Sequence, residues 1–201
     1  MQPDLKKILY ISTVLFVLSC ENIIPEIRCY PSNPFSEKDS IQVLDLNISY
    51  MNFKEITHWI SKNQHIGRTP VIKFNDGELL KYIYPLVPSN GLIKERNILS
   101  LKSDSILIDD GYPISELKWV LKRHYTNNGK ELRYPSSSER AGVRITLDTN
   151  KTTKDLEQSL ILLTTVFDEV NREVKDTLQL KFLFDYLRQI PPPPPPPNPL
   201  P

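Results

Sequence analysis

Residue types that commonly carry catalysis or bind metals are sparse in this chain of 201 residues. The three histidines, His58, His65 and His124, are the first candidates for a zinc site. The separation of seven between the first two, with the third far away in sequence, does not make a convincing zinc set. We therefore interpret all three as solvent-exposed or packing residues.

Acidic and serine clusters give no stronger signal. Asp109-Asp110 lacks the ligand spacing of a calcium loop, which favours a polar turn. Asp168 and Glu169 are adjacent, so a helix would point them about 100° apart and they could not act alone as a paired acid and base. The serines at 136–138 lack the GxSxG elbow. The sequence predicts no catalytic, cofactor-binding or metal-binding residue, and we expect no enzyme.

Composition argues against two further function classes. The 25 basic and 24 acidic residues nearly cancel to a net charge of +1, whereas nucleic-acid binders normally carry a strong basic surplus. There are only six glycines, and neither GxGxxG nor GxxxxGK[ST] occurs. We therefore expect no nucleic-acid partner and no phosphate-cradling loop.

The opening residues have the anatomy of a secretory signal. Two lysines precede an uncharged run from Ile8 to Ser19, which is short for a membrane span because spanning takes about 20 apolar residues. The stretch "VLSC" at 17–20 resembles a bacterial lipobox, in which the peptide is removed before a cysteine that carries a diacylglycerol. We predict a signal peptide over 1–19 and lipid attachment at Cys20, with an uncleaved anchor or an N-terminal core helix as alternatives.

Cys29 is the second of the two cysteines in the chain. It has no intramolecular disulfide partner if Cys20 is acylated. A Cys20–Cys29 disulfide is the alternative for a secreted form without lipid. Neither arrangement indicates a metal site, because the chain has no CxxC pair.

Composition shifts divide the chain into parts. After the signal, prolines and polar residues indicate a tether, with ordered structure expected from near Ser40. The predicted parts are 20–39, the lipidated tether; 40–95, a small strand-helix segment; 96–182, a strand/helix domain; and 183–201, a Pro-rich tail.

Hydrophobic periodicity predicts the elements of the two folded segments. Strands are expected at 40–49, 71–74 and Val143–Leu147, with hairpin turns at 75–77 and within 98–111. Helices are expected after 51, from an N-cap at Ser115 and from a capping box at Thr152 and Asp155.

The last of these helices has the clearest pattern. One stripe of apolar residues predicts that it lies across a sheet that contains the Val143–Leu147 strand. We therefore predict an α/β (α+β two-layer) fold, in which amphipathic helices and a long C-terminal helix cover a small mixed sheet. The stripe consists of Leu156, Leu160, Leu163, Phe167, Val170, Val174 and Leu178.

The C-terminal segment Pro191–Pro201 holds nine of the 18 prolines. Consecutive prolines favour a polyproline II rod, which at about 3.1 Å per residue reaches roughly 30 Å. This segment is either a stiff solvated tail or a spacer or docking ligand for an aromatic groove.

Three stretches follow one another between residues 98 and 176: "LSLKSDSILIDDGYPISELKWVLKRHY", "GVRITLDTNKTTKDL" and "LLTTVFDEVNREVKD". They resemble the periplasmic domain of the ExbD/TolR family of biopolymer transporters, subunits of proton-driven motors that energise outer-membrane transport. The resemblance implies that fold, an envelope compartment and ExbB- or TonB-like partners. Proton conduction is not carried over, because the family's membrane helix holds an Asp and Ile8–Cys20 has no acidic residue.

We therefore expect an exported, lipid-anchored binding module of a bacterial cell-envelope complex, by resemblance an ExbD-like component of energy-coupled outer-membrane transport. The alternatives are a small structural lipoprotein with no motor link and an envelope enzyme. The expected partners are an envelope protein and the membrane through Cys20, and a homodimer is also compatible. The expected location is the outer membrane, facing the periplasm, with the inner membrane as the alternative.

Overall fold

The structure of the protein is a computed structural model that describes residues 25–32, 40–86, 93–174 and 177–186. The predictions about the signal peptide, the lipid at Cys20 and the segment Pro191–Pro201 lie outside the described residues. Within the described residues, no helix combines the length and the apolar character that crossing a membrane requires.

The first sheet has four strands: β1 (Glu26–Tyr30), β2 (Ile41–Asp45), β3 (Thr69–Asp76) and β4 (Leu79–Ile83). Their order is β1-β4-β3-β2, so β1 and β2 form the two edges. β3 and β4 form the predicted antiparallel hairpin, whereas β1 pairs with β4 and β2 pairs with β3 in parallel. The hairpin turn depends on Gly77, whose φ of 60° is in the left-handed region that favours glycine.

The second sheet has five strands in the order β7-β6-β5-β8-β9. β5 runs parallel to β8, and β8 runs parallel to β9, whereas β6 and β7 continue from β5 as an antiparallel meander. The strands are β5 (Ile98–Leu101), β6 (Ser105–Leu107), β7 (Tyr112–Pro113), β8 (Gly142–Leu147) and β9 (Phe182–Tyr186).

The described residues also form three α-helices: α1 (Phe53–His65), α2 (Leu117–Thr126) and α3 (Thr153–Val174). Each of α1 and α3 starts at a capping box, in which the first residue and the residue three positions later exchange hydrogen bonds. The pairs are Asn52 with Glu55, which the sequence analysis missed, and Thr152 with Asp155, which it predicted. Short 3₁₀ turns lie at Glu95–Asn97, Ile114–Glu116 and Ser138–Arg140.

A hydrophobic cluster of buried residues joins both sheets and all three helices. The α+β fold class is therefore confirmed, and so is the long helix near the C-terminus, although Leu178 of the predicted stripe lies outside this helix. The prediction that this helix covers one sheet is incomplete, because α3 contacts both. Leu163 lines a small cavity with Ile145 of the second sheet, and Phe167 makes an edge-to-face contact with Tyr30 of the first sheet.

The structure corrects the predicted tether and tail boundaries. Residues Glu26–Tyr30 form β1 and contribute the buried Tyr30 to the core, so ordered structure starts well before Ser40. Residues Phe182–Tyr186 form β9, so the tail cannot start at residue 183. Both strands pair in parallel with partners far away in sequence, and such pairing leaves no local turn signal.

The structure also corrects the predicted N-cap of α2. Ser115 lies inside the 3₁₀ turn Ile114–Glu116, and α2 begins at Leu117 with no side-chain cap. The helix ends at Thr126, and Asn128 and Gly129 follow it with φ values of 50° and 77°, a backbone conformation that commonly terminates helices.

Candidate binding surface

The two faces of the first sheet have different surroundings. On one face, the inner face, Tyr30 of β1 contacts Phe167 of α3, and Lys81 of β4 contacts Thr164 of the same helix. Because strand side chains alternate between faces, residues one position away point to the opposite side, the outer face. The outer face carries Ile27, Cys29, Val43, Val71, Leu80 and Tyr82, together with Ile41, Lys73 and Asp45.

The outer face is apolar and open at both edges of the sheet. Ile27 on β1 is 60% exposed, and on β2 Ile41 is 53% and Val43 51% exposed. Two more exposed apolar residues, Ile48 and Tyr50, follow β2 directly along the chain. Single exposed apolar residues are ordinary, and Val71 on the neighbouring strand is fully buried. Ile41 and Val43, however, are two exposed apolar residues on one face of an edge strand, a position that favours pairing with a partner.

The charges on the outer face neutralise each other. The ammonium of Lys73 donates to a carboxylate oxygen of Asp45 at 2.7 Å. The hydrogen bond to Asp45 raises the pKa of Lys73, and the bonds from Lys73 and Asn47 outweigh burial and lower the pKa of Asp45. The pair therefore stays ionised at neutral pH, and its net charge is zero.

Cys29 lies half-buried on the outer face beside Tyr84. Burial raises the pKa of its thiol, and the hydrogen bond with Tyr84 only partly opposes this effect. Since the thiolate is the reactive form, Cys29 has the character of a packing residue rather than of an activated nucleophile.

A groove of about 700 Å³ lies between β1 and the C-terminal half of α3. Asp168 lies in this groove and accepts hydrogen bonds from Arg28 and from the hydroxyl of Tyr30, both at 2.8 Å. Burial and the neighbouring carboxylate both raise the pKa of Tyr30, which keeps it a neutral donor. These contacts hold β1 against α3, so the polar groups of the groove have a structural role.

The three histidines lie apart from one another in the fold. His58 and His65 lie on the exposed side of α1, and His124 is buried in α2, where its Nε2 donates to the carbonyl of Gly142 at 3.2 Å. Burial lowers the pKa of His124 to about 4. In the described parts of the chain, no three His, Cys, Asp or Glu side chains come close enough together to hold a metal ion.

The other sequence candidates also have structural roles. Asp109 accepts hydrogen bonds from the hydroxyls of Tyr134 and Tyr112, at 2.8 and 3.3 Å, and from Arg123 at 3.2 Å. The bond from Tyr134 is the main cause that lowers the pKa of Asp109. Glu169 pairs with Lys118, on a different side of α3 from Asp168.

The sequence patterns described above do not predict the outer face, although β1 carries a signal of it. The stretch "EIRCY" alternates the outward residues Ile27 and Cys29 with the inward residues Arg28 and Tyr30. Neighbouring prolines led to the interpretation of a tether.

Comparisons with protein-family models, with curated proteins and with solved structures found no match to this chain.

Proposed function

We propose that the chain is a non-catalytic binding module of a bacterial cell-envelope complex. The observation that carries the proposal is the exposure of apolar residues at the two edges of the outer face, where Ile27, Ile41 and Val43 are more than half exposed. Covering such a face removes apolar area from water, which contributes roughly 25 cal/mol for each Å² buried.

The partner is an extended segment of another envelope protein that pairs along β2. This strand is an edge of its sheet, so an added strand can pair with its outward backbone groups at Val43, whereas the carbonyls of Ile41 and Asp45 already accept from Gln42 and Ser49. Main-chain bonds would give affinity, and Ile41 and Val43 would select apolar side chains at alternate positions. Because Lys73 and Asp45 neutralise each other, the fitting segment is uncharged where it crosses them.

The membrane part of the proposal depends on the sequence. Lipid attachment at Cys20 would place the folded part in the envelope, at the outer membrane facing the periplasm. Residues 98–176, whose stretches resemble the ExbD/TolR family, supply β5 to β8, α2 and all of α3. An ExbB- or TonB-like protein is therefore the partner class that we propose, without proton conduction by this chain.

The binding surface is tested with full-length chain extracted from the membrane and with its Val43→Lys variant. We expect an ExbB- or TonB-like protein, identified by mass spectrometry, to co-purify with the unaltered chain. Val43→Lys should reduce its recovery at least tenfold, because a lysine on an edge strand opposes pairing. Leu132→Lys is the matched control, since Leu132 is an exposed apolar residue outside the first sheet, and it should retain the partner.

Three outcomes contradict this proposal. Equal recovery of the partner with both variants would remove the outer face from the interaction. A dimer of the unaltered chain that Val43→Lys dissociates would make a second copy the occupant. A chain that purifies as a monomer with no partner would favour the structural lipoprotein.

Lipid attachment is tested separately by the intact mass of the membrane-extracted chain. We expect a mature chain that starts at Cys20 with added diacylglycerol, and loss of that mass in Cys20→Ala. A mass that starts at Met1 without lipid would mean a retained anchor and would contradict the proposed location.

A further inference from the structure

A cluster of aromatic rings lies at the surface of the second sheet, away from the outer face of the first. We define this aromatic cluster as Tyr112 of β7, Trp119 and Arg123 of α2, and Tyr134. The rings of Tyr112 and Trp119 meet edge to face, with centroids 5.4 Å apart and planes at 67°. Trp119 is 50% exposed, so part of its surface is accessible to a ligand.

Arg123 fixes the arrangement of the aromatic cluster. Its guanidinium carbon lies 5.4 Å from the ring centroid of Trp119 and 4.4 Å from that of Tyr134. The same guanidinium donates to Asp109 at 3.2 Å and to Glu131 at 2.6 Å. The rings are therefore pre-organised, which lowers the entropy that a ligand must overcome on binding.

Charge around the aromatic cluster is balanced. The carboxylates of Asp109 and Glu131 face the guanidinium of Arg123, and Arg133 lies 3.6 Å from Asp109. Two positive and two negative groups leave no net charge to attract an ion. An exposed Trp beside a Tyr in neutral surroundings fits an uncharged ligand with compact apolar rings and carbonyl acceptors, which is the chemistry of a polyproline II segment.

The chain itself contains such a segment. We propose that the aromatic cluster binds Pro191–Pro201 of the same chain, so that Pro rings pack against Trp119 and Tyr112. The segment carries no charged side chain, and proline has no N–H that would need a partner. A run of consecutive prolines favours a stiff polyproline II rod, so we expect little conformational entropy to be lost on docking.

The geometry allows the segment to reach the cluster. β9, the last described strand, ends at Tyr186 on one edge of the second sheet, and β7 with Tyr112 lies at the other edge. Four strand spacings of about 4.8 Å separate these edges, roughly 19 Å. The fifteen residues 187–201 would span about 46 Å at 3.1 Å each.

The first experiment uses Trp119 as its own reporter. The chain has two tryptophans, so a Trp59→Phe background leaves Trp119 as the only one. In that background, we compare the full chain with a variant in which Pro191–Pro197 are replaced by serine. We expect the serine variant to show at least twofold stronger acrylamide quenching of Trp119 and a red-shifted emission. Identical quenching in the two chains would overturn the proposal.

The second experiment measures docking directly. A labelled synthetic peptide of residues 190–201 is titrated into the serine variant, with Trp59 retained, and followed by fluorescence anisotropy. We expect saturable binding that Trp119→Ala weakens at least tenfold and that Leu107→Ala, which alters another exposed apolar residue of the second sheet, leaves unchanged. The unaltered chain should bind the peptide more weakly than the serine variant, because its own segment competes.

Absence of saturable binding, or equal binding to the Trp119→Ala variant, would overturn the proposal. Protection of Trp119 that disappears when the unaltered chain is diluted would overturn the intramolecular arrangement, since it would mean that the segment binds a second copy. The unfolding transition of Trp119→Ala is recorded alongside, so that weaker binding is assigned to the lost ring and not to lost folding.

Discussion

The ammonium of Lys81 on β4 donates a hydrogen bond to the hydroxyl oxygen of Thr164 on α3, with 2.8 Å between Nζ and Oγ1. Lys81 is only 1% exposed, and its second partner is the carboxylate of Asp76, at 2.6 Å. A buried charge is tolerated only when it is paired and hydrogen-bonded. The contact therefore makes the position of α3 on the first sheet depend on two specific polar side chains.

The first prediction concerns the two members of this contact. Thr164→Val keeps the shape of the side chain but removes an acceptor from the buried ammonium, so we expect it to lower the free energy of unfolding by about 1–3 kcal/mol. Lys81→Met removes the buried charge itself and leaves Asp76 partly open to water, so it should cost less. Urea denaturation of both variants checks the order.

The double variant tests the same contact. In the Lys81→Met background, Thr164→Val should cost less than it does in the unaltered chain, because the ammonium that it would leave unpaired is gone. Equal costs in the two backgrounds would mean that the hydrogen bond contributes nothing to stability.

Local patterns in the sequence predict most of the elements but not how they combine. The hairpin at Gly77, the strand Val143–Leu147 and the capping box at Thr152 each depend on neighbouring residues, and the structure confirms all three. β1 and β9 pair in parallel with distant partners, so their apolar residues could not be assigned to a sheet from local pattern alone.

The buried polar contacts and the binding surfaces could not be predicted for a related reason. Lys81 is the only charged residue of β4, between Leu80 and Tyr82, and only the packing of α3 shows that its charge is buried. The aromatic cluster combines residues of β7, α2 and the loop after α2, which are brought together by the fold and not by spacing in the sequence.

The second prediction concerns the N-terminus of α1. The side chain of Asn52 accepts from the N–H of Glu55 at 3.0 Å, and the Glu55 side chain accepts from the N–H of Asn52 at 2.8 Å. Asn52→Ala should lower the free energy of unfolding by about 1 kcal/mol, since the N–H of Glu55 loses its acceptor. Ser61→Ala, on the exposed side of the same helix, should change it by less than about 0.5 kcal/mol. Thermal unfolding followed by circular dichroism distinguishes the two, and equal effects would contradict a capping role.

The third prediction concerns the reactivity of Cys29. In a Cys20→Ser background it is the only thiol, and burial raises its pKa. We expect iodoacetamide at pH 8 to alkylate it at least tenfold more slowly in the folded chain than in the chain unfolded in guanidinium, because less thiolate is present and access is restricted. Equal rates would mean that the thiol is neither buried nor raised in pKa. Rates are followed by mass spectrometry.

The fourth prediction concerns pH and His124. Burial lowers its pKa from 6.5 to about 4, so the unfolded chain binds this proton more readily than the folded chain. The folded chain therefore keeps its full stability with respect to His124 above pH 6.5. As the pH falls toward 4, protonation of His124 in the unfolded chain lowers the free energy of unfolding, by about 2 kcal/mol between pH 8 and pH 5.

His124→Phe keeps an aromatic ring but cannot titrate, so the free energy of unfolding of this variant should fall less over the same pH range, by that amount. His58→Gln, which removes an exposed histidine, should keep the full dependence. Urea titrations at pH 8 and pH 5 measure the difference, and parallel pH curves for the unaltered chain and His124→Phe would show that His124 is not buried in its neutral form.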